Sequence, residues 1–582
     1  MSIASVSRAV AVATAAALAA SAVTVALAQG AAGSSPQSNE NDLSDRHVLL
    51  ISIDGMHAVD FENCMVSRTC PNLRALASRG VRYTSASTSK PSDSFPGMMA
   101  IVTGGSPKLV GVYYDVAYDR VFAPPAVDTG NGVLHGNCVE GQANGTRTEY
   151  EEGDDFDQTK LNGVDDGTAG YGKLDGGAVA INPQRLVRDP FHGCSPVYPW
   201  NFVRANTLFG VIHSAGGFTA WSDKHPVYAA VSGPTGTRVP SNLDDFYGPE
   251  INSNLIPLPG IRTVTGMDCS AIPNNNGGDW TSDFDNIKCY DQLKVNAVRN
   301  WIAGRTHLGT ASSKVPNVFG MNFQAVSVGQ KLIETINGQT VKGGYLDGAA
   351  TPSDELKGEI EFVDAAIGQF VRDLRTHHLI DSTTIIITAK HGQSPIDPNR
   401  FDPIPGHSGA NGTPPSGVLG PDFLPDSELN QIGSTEDDVS LLWLKPGASA
   451  TDAVTELESD ARAIGAGQIL FGPQLAMMFG QPGLPGAGGD PRTPDIIITP
   501  NVGVIYTGSL KKQEEHGGFA LDDTNVMLLV SRPSLHRLTV SSPVETAQVA
   551  PTILKALGLD PRRLEAVRKE GTTVLPGLGL DD

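Results

Sequence analysis

Two unbroken apolar runs constrain this chain more than any other feature: HVLLISIDG at residues 47–55 and STTIIITAKHG at 382–392. Each is short, rich in Ile and Val, and closed by glycine, which favours a strand over a buried helix. A strand that is apolar at every position must bury both of its faces, as strands do in a parallel sheet with helices on either side. Further strand patterns occur at VRYTSAST, PNVFGMNFQAVSVG and HGGFALDDTNVMLLVSRP. Helical patterns alternate with them. PNLRALASRG has Pro at its start and Gly at its end. PSDELKGEIEFVDAAIGQFVRDL repeats Leu356, Ile360, Val363, Ile367, Phe370 and Leu374 at helical spacing. ETAQVAPTILKALGL closes the series as an amphipathic helix. This alternation predicts an α/β fold: a three-layer α/β/α sandwich around a mostly parallel sheet. Ligands of such folds collect at the carboxyl ends of the strands, and here those ends carry Asp54, Lys390 and His391.

The organisation expected around that core is one large domain over residues 47–565, with a C-terminal tail at 566–582. Its 65 Gly and 40 Pro among 582 residues call for long loops. Residues 120–310 read as a loop-rich insertion and 395–500 as a small α/β cap. The formal net charge of −21 excludes a broad electrostatic grip on nucleic acid, though a pocket can still be locally positive. The P-loop look-alike GTAGYGKL (167–174) ends in Leu where a Mg²⁺-binding Ser or Thr belongs, and no strand precedes it. EEGDDFD (151–157) lacks the spacing of a calcium loop, and His407 reads as a surface-loop residue.

Residues 1–28 have the pattern of a secretory signal peptide: Arg8, an Ala/Val/Leu run, and a small-x-small site ending at Ala28. Residues 29–46 read as a flexible linker, and no later stretch is long and apolar enough to span a bilayer. The expected location is secreted or periplasmic. Six cysteines fit an oxidising compartment and three disulfides. Pairing of neighbours (64–70, 138–194, 269–289) is the simplest of the possible connectivities. The oligomeric state is left open.

Ser94, in KPSDSFPGMMAIVTGG, stands at the start of a predicted helix. A serine there commonly caps the helix. It can also be a nucleophile, because helix N-terminal amides favour an oxyanion and bind phosphate. Lys90 lies four residues upstream and adds charge to the second reading. The loop TAWSDKHPVY offers Asp223, Lys224 and His225, either as a solvated turn or as substrate contacts.

The blocks VLLISIDGM, KPSDSFPGMMAIVTGG, TIIITAKHG, HGGFALDDTNVMLLV and TAQVAPTILKALGL resemble the type I phosphodiesterase/nucleotide pyrophosphatase group of the alkaline phosphatase superfamily. The resemblance spans roughly 47–120, 316–395 and 505–560. It implies an alkaline-phosphatase-like fold and an exported metal-dependent hydrolase of phosphodiesters, nucleotides or phosphomonoesters. The implied cofactor is divalent metal, usually zinc, as one or two ions, and the implied partner is a small phosphorylated substrate. By the same resemblance Ser94 is the nucleophile that forms a phospho-serine, and Asp54, His391 and His516 are metal ligands.

The departures are informative. Lys390 stands where the family places a metal-binding aspartate. The Asp-x-x-x-His pair has no clean counterpart: Ser327 lies near the aspartate position and Gln330 or Lys331 near the histidine, with Tyr345 or Asp347 as a second alignment. Asp115 takes the place of a phosphate-contacting Asn. An ammonium about 4 Å from a dication costs roughly 8 kcal/mol at an effective dielectric of about 20. Lys390 therefore points away, pairs with Asp115, or replaces one metal and stabilises the transition state. The expectation is at most one tightly held ion, through Asp54, His391 and Ser94. Two other readings stay open: a sulfate- or phosphonate-ester hydrolase on the same fold, and a binding protein with a degenerate metal site.

Overall fold

The computed structural model describes residues 43, 45–129, 133–150, 181–252, 260–271, 280–405, 413–425 and 434–580. The signal-peptide segment, most of the linker, GTAGYGKL, EEGDDFD and His407 lie outside the described residues.

Nine strands form the central sheet. They are β1 (His47–Ile53), β2 (Gly80–Ser87), β3 (Ala220–Ser222), β4 (Asp245–Tyr247), β5 (Val318–Phe323), β6 (Thr383–Thr388), β7 (Asn525–Ser531), β8 (Leu538–Val540) and β9 (Val544–Glu545). The order is β8-β2-β7-β6-β1-β5-β3-β4, with β9 also on β2. Strand β1 lies parallel between β6 and β5, with Leu49 opposite Ile385 on one side and Phe319 on the other. β3 and β4 continue the parallel set. β7 runs antiparallel to both of its neighbours, β6 and β2.

All seven residues of β1 are buried, as its unbroken apolar run requires. Alternate side chains enter opposite cores. Val48 and Leu50 pack with Met98, Val102 and Ile553 on one face. Leu49 and Ile51 pack with Phe362, Ile367 and Trp301 on the other. The first helical layer includes α1 (Ser94–Thr103), and the second includes α2 (Phe284–Ile302) and α3 (Asp354–Thr376). Helix α3 buries Leu356, Ile360, Val363, Ile367, Phe370 and Leu374, the stripe its spacing predicts, and Ser353 caps it through the Leu356 amide.

Two expectations about the periphery need correction. The 120–310 segment is not only loops: it supplies β3, β4 and the 19-residue α2 to the sandwich. Strands of three residues, AWS and DFY, are too short to leave a periodic signal. The 566–582 stretch is not a loose tail either. Leu575 and Leu578 are buried, and the Tyr83 hydroxyl donates to the Pro576 carbonyl at 2.8 Å. Within 395–500, four strands form a separate antiparallel sheet (Ser434–Glu436, Ser440–Leu442, Ile496–Pro500 and Ala466–Phe471). Disulfides join Cys64–Cys70, Cys138–Cys194 and Cys269–Cys289. Among the described residues no helix is long and apolar enough to cross a membrane.

Candidate active site

Four adjacent parallel strands, β6, β1, β5 and β3, end on the same side of the sheet, and each delivers polar residues just past its last residue. β6 gives Lys390 and His391, and β1 gives Asp54. β5 gives Gln324 beside Asn322 of its own last turn, and β3 gives Asp223 and Lys224. Glycine makes two of these placements possible. Gly55 turns the chain after Asp54 at φ +80°, where a side chain would meet Gln330. Gly97 lets α1 run against the carbonyl of Lys390, a contact that any Cβ would block. That approach brings Ser94 to His391.

Ser94 is not the helix cap. Asp93 holds that position, and its carboxylate accepts the amide of Phe95 at 3.2 Å and of Asp115 at 3.0 Å. The Ser94 hydroxyl is thereby left to side-chain chemistry. Its Oγ lies 3.1 Å from His391 Nε2 and accepts a hydrogen bond from Lys224 Nζ at 3.2 Å. His391 Nδ1 lies 2.9 Å from the Gly392 carbonyl. A carbonyl can only accept, so Nδ1 carries the hydrogen and the neutral ring offers a bare Nε2 to the serine proton. Burial lowers the His391 pKa below the ordinary 6.5, outweighing the pull of Asp54. The ring is thus poised as a neutral base.

Asp54 is fully buried. Its Oδ2 accepts from Asn322 at 3.1 Å and from Gln324, and lies 3.3 Å from Lys390 Nζ and 3.7 Å from His391 Nε2. Burial alone would raise its pKa, but the charges of Lys390 and His391 hold it well below the carboxylate range. Lys390 is buried too. It stands between Asp54 and Asp223, 3.5 Å from Asp223 Oδ1, with its ammonium 4.3 Å from the centre of the Tyr228 ring. Beneath it, Lys294 pairs with Asp291 at 2.9 Å and donates to the Asn322 carbonyl at 2.6 Å.

His516 stacks on His391 with ring centres 4.2 Å apart, and its Nδ1 lies 3.4 Å from Asp93 Oδ1. Burial first, and then the neighbouring ammonium groups of Lys331, Lys224 and Lys512 beside the His391 ring, drive its pKa well below 6.5. Its loop is pinned to the loop before Ser94 by the Gly517 amide, which donates to the Ser92 carbonyl at 2.8 Å. Above lies a cleft of about 550 Å³, lined among others by Asp115, Lys224, His225, Lys331, Asp437 and His516. Ser94 has no exposed surface and does not line this cleft; Lys224, which does, reaches its hydroxyl.

The structure thus brings together Asp54, Ser94, Lys390, His391 and His516. Asp115 and Lys224 line the cleft. His225 does as well, locked to Glu250 at 2.8 Å. Asp223 lies below, buried against Trp221 Nε1 at 3.0 Å, rather than in a solvated turn. Ser327 and Gln330 do not line the cleft. They are sealed in a network with Gln393, Tyr345, His57 and Asp60. Lys90 is exposed and faces two other surface cavities. Sequence reasoning missed Asn322, Gln324, Tyr228 and Lys294. The first two were within reach, since the strand-end rule that selects Asp54 applies equally to NFQ after β5.

A two-metal centre does not fit this donor set. An ammonium occupies the gap between Asp54 and Asp223, and the residues at the Asp-x-x-x-His position are amides and hydroxyls already bonded to each other. Among the described residues no three His, Cys, Asp or Glu converge where an ion could sit.

Comparison with known proteins supplies the family and the fold. The chain matches the type I phosphodiesterase/nucleotide pyrophosphatase family over residues 48–137 and 280–520. No curated protein sequence matches it. Murine ectonucleotide pyrophosphatase/phosphodiesterase 5, solved as an inactive variant with AMP, shares 11% identity. It covers 89% of this chain and 96% of its own, with a TM-score of 0.50. The human form of that protein shares 12% identity over 92% of this chain and 97% of its own, at a TM-score of 0.48. Phosphonoacetate hydrolase from Sinorhizobium meliloti 1021, with phosphonoformate, shares 13% identity over 88% and 96%, at 0.47. At these identities the structural likeness speaks for the fold alone. The family match spans more than half of the chain, so the chain belongs to the type I phosphodiesterase/nucleotide pyrophosphatase family, hydrolases of phosphodiester and pyrophosphate bonds.

Proposed function

We propose that this protein is an exported phosphodiesterase that works through a phospho-serine at Ser94. One observation carries the reading: the Ser94 hydroxyl is held between the bare nitrogen of a neutral histidine and a lysine ammonium. The incoming phosphoryl group takes over the Lys224 hydrogen bond at the cleft floor. Ser94 Oγ then bonds to phosphorus while its proton passes to His391 Nε2. The imidazolium so formed is stabilised by Asp54, 3.7 Å away, and by the Gly392 carbonyl. Lys224 and the first amides of α1 face the charge that grows on the phosphoryl oxygens. The ester oxygen on the far side leaves into the cleft and takes a proton from water. The hydroxide left by that water attacks the phospho-serine from the vacated side, the phosphorus–Oγ bond breaks, and His391 returns its proton to Ser94.

Charge favours the diester. Asp54, Asp223 and Asp291 face Lys224, Lys294 and Lys390, a formally neutral set. It matches a singly charged diester better than a doubly charged monoester. The three disulfides suit an oxidising compartment, which is the support for export.

The test is turnover of an aryl phosphodiester, an aryl phosphomonoester and an aryl sulfate side by side, with acid quench and peptide mapping. The diester is expected to be the best substrate and to leave its phosphoryl group, still bearing the second ester substituent, on the Ser94 peptide. Exclusive turnover of the sulfate, or no turnover of any ester, refutes the reading.

The pH profile gives a second check. Because burial depresses the His391 pKa, the base stays neutral to below pH 6.5. The acid limb of kcat/KM should therefore lie below pH 6.5, falling about tenfold per pH unit beneath it. A limb centred above neutrality would rule out His391 as the base.

A further inference from the structure

We propose that the ammonium of Lys390 is a permanent, built-in cation that takes the place of divalent metal in this site. Its role in hydrolysis rests on the reading above, but its effect on metal binding can be measured without any turnover.

Members of the family generally depend on divalent metal. Here the space a cation would need is filled by protein. Lys390 Nζ lies 3.3 Å from Asp54 Oδ2 and 3.5 Å from Asp223 Oδ1, under the face of Tyr228, with no exposed surface. Asp54 Oδ2 is further committed to Asn322 and Gln324. Lys294, fixed on Asp291 and the Asn322 carbonyl, sits behind that pair. Two buried lysines thus stand where carboxylates would otherwise have charge to spare.

The neighbouring location is closed by different means. The Gln330 amide donates to the Gly55 carbonyl and the Tyr345 hydroxyl, both at 2.8 Å, and its oxygen accepts from Gln393 at 2.7 Å. Tyr345 in turn donates to Asp60 at 2.9 Å, and His57 Nδ1 also meets Asp60 at 2.9 Å. Gln330, Tyr345, His57 and Asp60 are thus already bonded to one another and to Gln393.

Two polar atoms at the centre keep unused capacity. Asp54 Oδ1 and Lys390 Nζ are buried, and among the described residues neither has a hydrogen-bond partner of good geometry. The ammonium therefore has protons to offer a phosphoryl oxygen that enters over Ser94, the service a Lewis acid otherwise performs.

The experiment is metal analysis and zinc calorimetry on wild type, Lys390→Asp and Lys390→Met, each checked for folding by thermal melt. Wild type, purified and dialysed against buffer holding equimolar zinc, is expected to retain well under one ion per chain. Its melting temperature should not move with chelator. Lys390→Asp adds a third carboxylate, beside Asp54, Asp223 and the His391 ring, and should gain about one zinc per chain, at least about tenfold tighter than wild type. Lys390→Met removes the charge at similar volume and serves if the aspartate variant does not fold. It should also gain zinc, more weakly. A wild-type protein that holds stoichiometric metal overturns the proposal. So do folded Lys390 variants that bind no more zinc than wild type, since the ammonium would then not be what excludes it.

Discussion

Ser94→Ala is expected to lower kcat for the best ester substrate by about 10³-fold or more, with no loss of fold. The magnitude follows from the way the site is wired. On the proposed function Ser94 Oγ and His391 Nε2, 3.1 Å apart, act as one reacting unit. The same wiring predicts strong non-additivity. His391→Asn should cost nearly as much alone, and the double variant should be scarcely worse than either single one. Folding should be spared because Asp93, not Ser94, caps α1. Steady-state kinetics of the two single variants and the double variant check this. If Ser94→Ala keeps more than about a tenth of the activity, or the two losses simply multiply, the pair is not the engine of the reaction.

The second large effect concerns stability. Lys294→Ala is expected to destabilise the fold by about 3–5 kcal/mol, the usual result of stripping one partner from a buried ion pair. Asp291 would be left fully buried, with only the Gln324 and Ala325 amides, each at 2.8 Å, as donors. Burial already raises the Asp291 pKa and lowers that of Lys294, against the pull of each on the other, so neither tolerates isolation. Pairing Lys294→Met with Asp291→Asn should recover a substantial part, since the amide oxygen still accepts from the β5 loop. Urea midpoints at unchanged m-value give the comparison. A loss under about 1 kcal/mol for Lys294→Ala would mean that the pair is not a foundation of the site. The same loop carries Gln324, which holds Asp54, so activity should fall along with stability.

The sandwich was legible because its signals are local. The Val/Leu/Ile run of β1 and the three consecutive isoleucines of β6 mark strands buried on both faces, and the stripe on α3 recurs at one helical period. The strand-end rule then placed Asp54, Lys390 and His391 together before any geometry was known. What stayed hidden is non-local. Lys224 reaches Ser94 across 130 positions of sequence, on a three-residue strand that carries no pattern. Asp93 rather than Ser94 caps the helix because Asp115, from a later loop, docks its amide on the same carboxylate. By the family resemblance Gln330 lies near a histidine position. It is instead a closed link in a buried network whose other members come from residues 57–60, 345 and 393.

The place of β7 in the sheet has a consequence for when this protein can act. Residues 525–531 are among the last parts of the central sheet to be synthesised, yet they fill an interior slot between β2 and β6. Until they arrive, those two strands present unpaired edges. The central sheet therefore closes only when this late segment inserts, and on the proposed function hydrolysis waits for that closure.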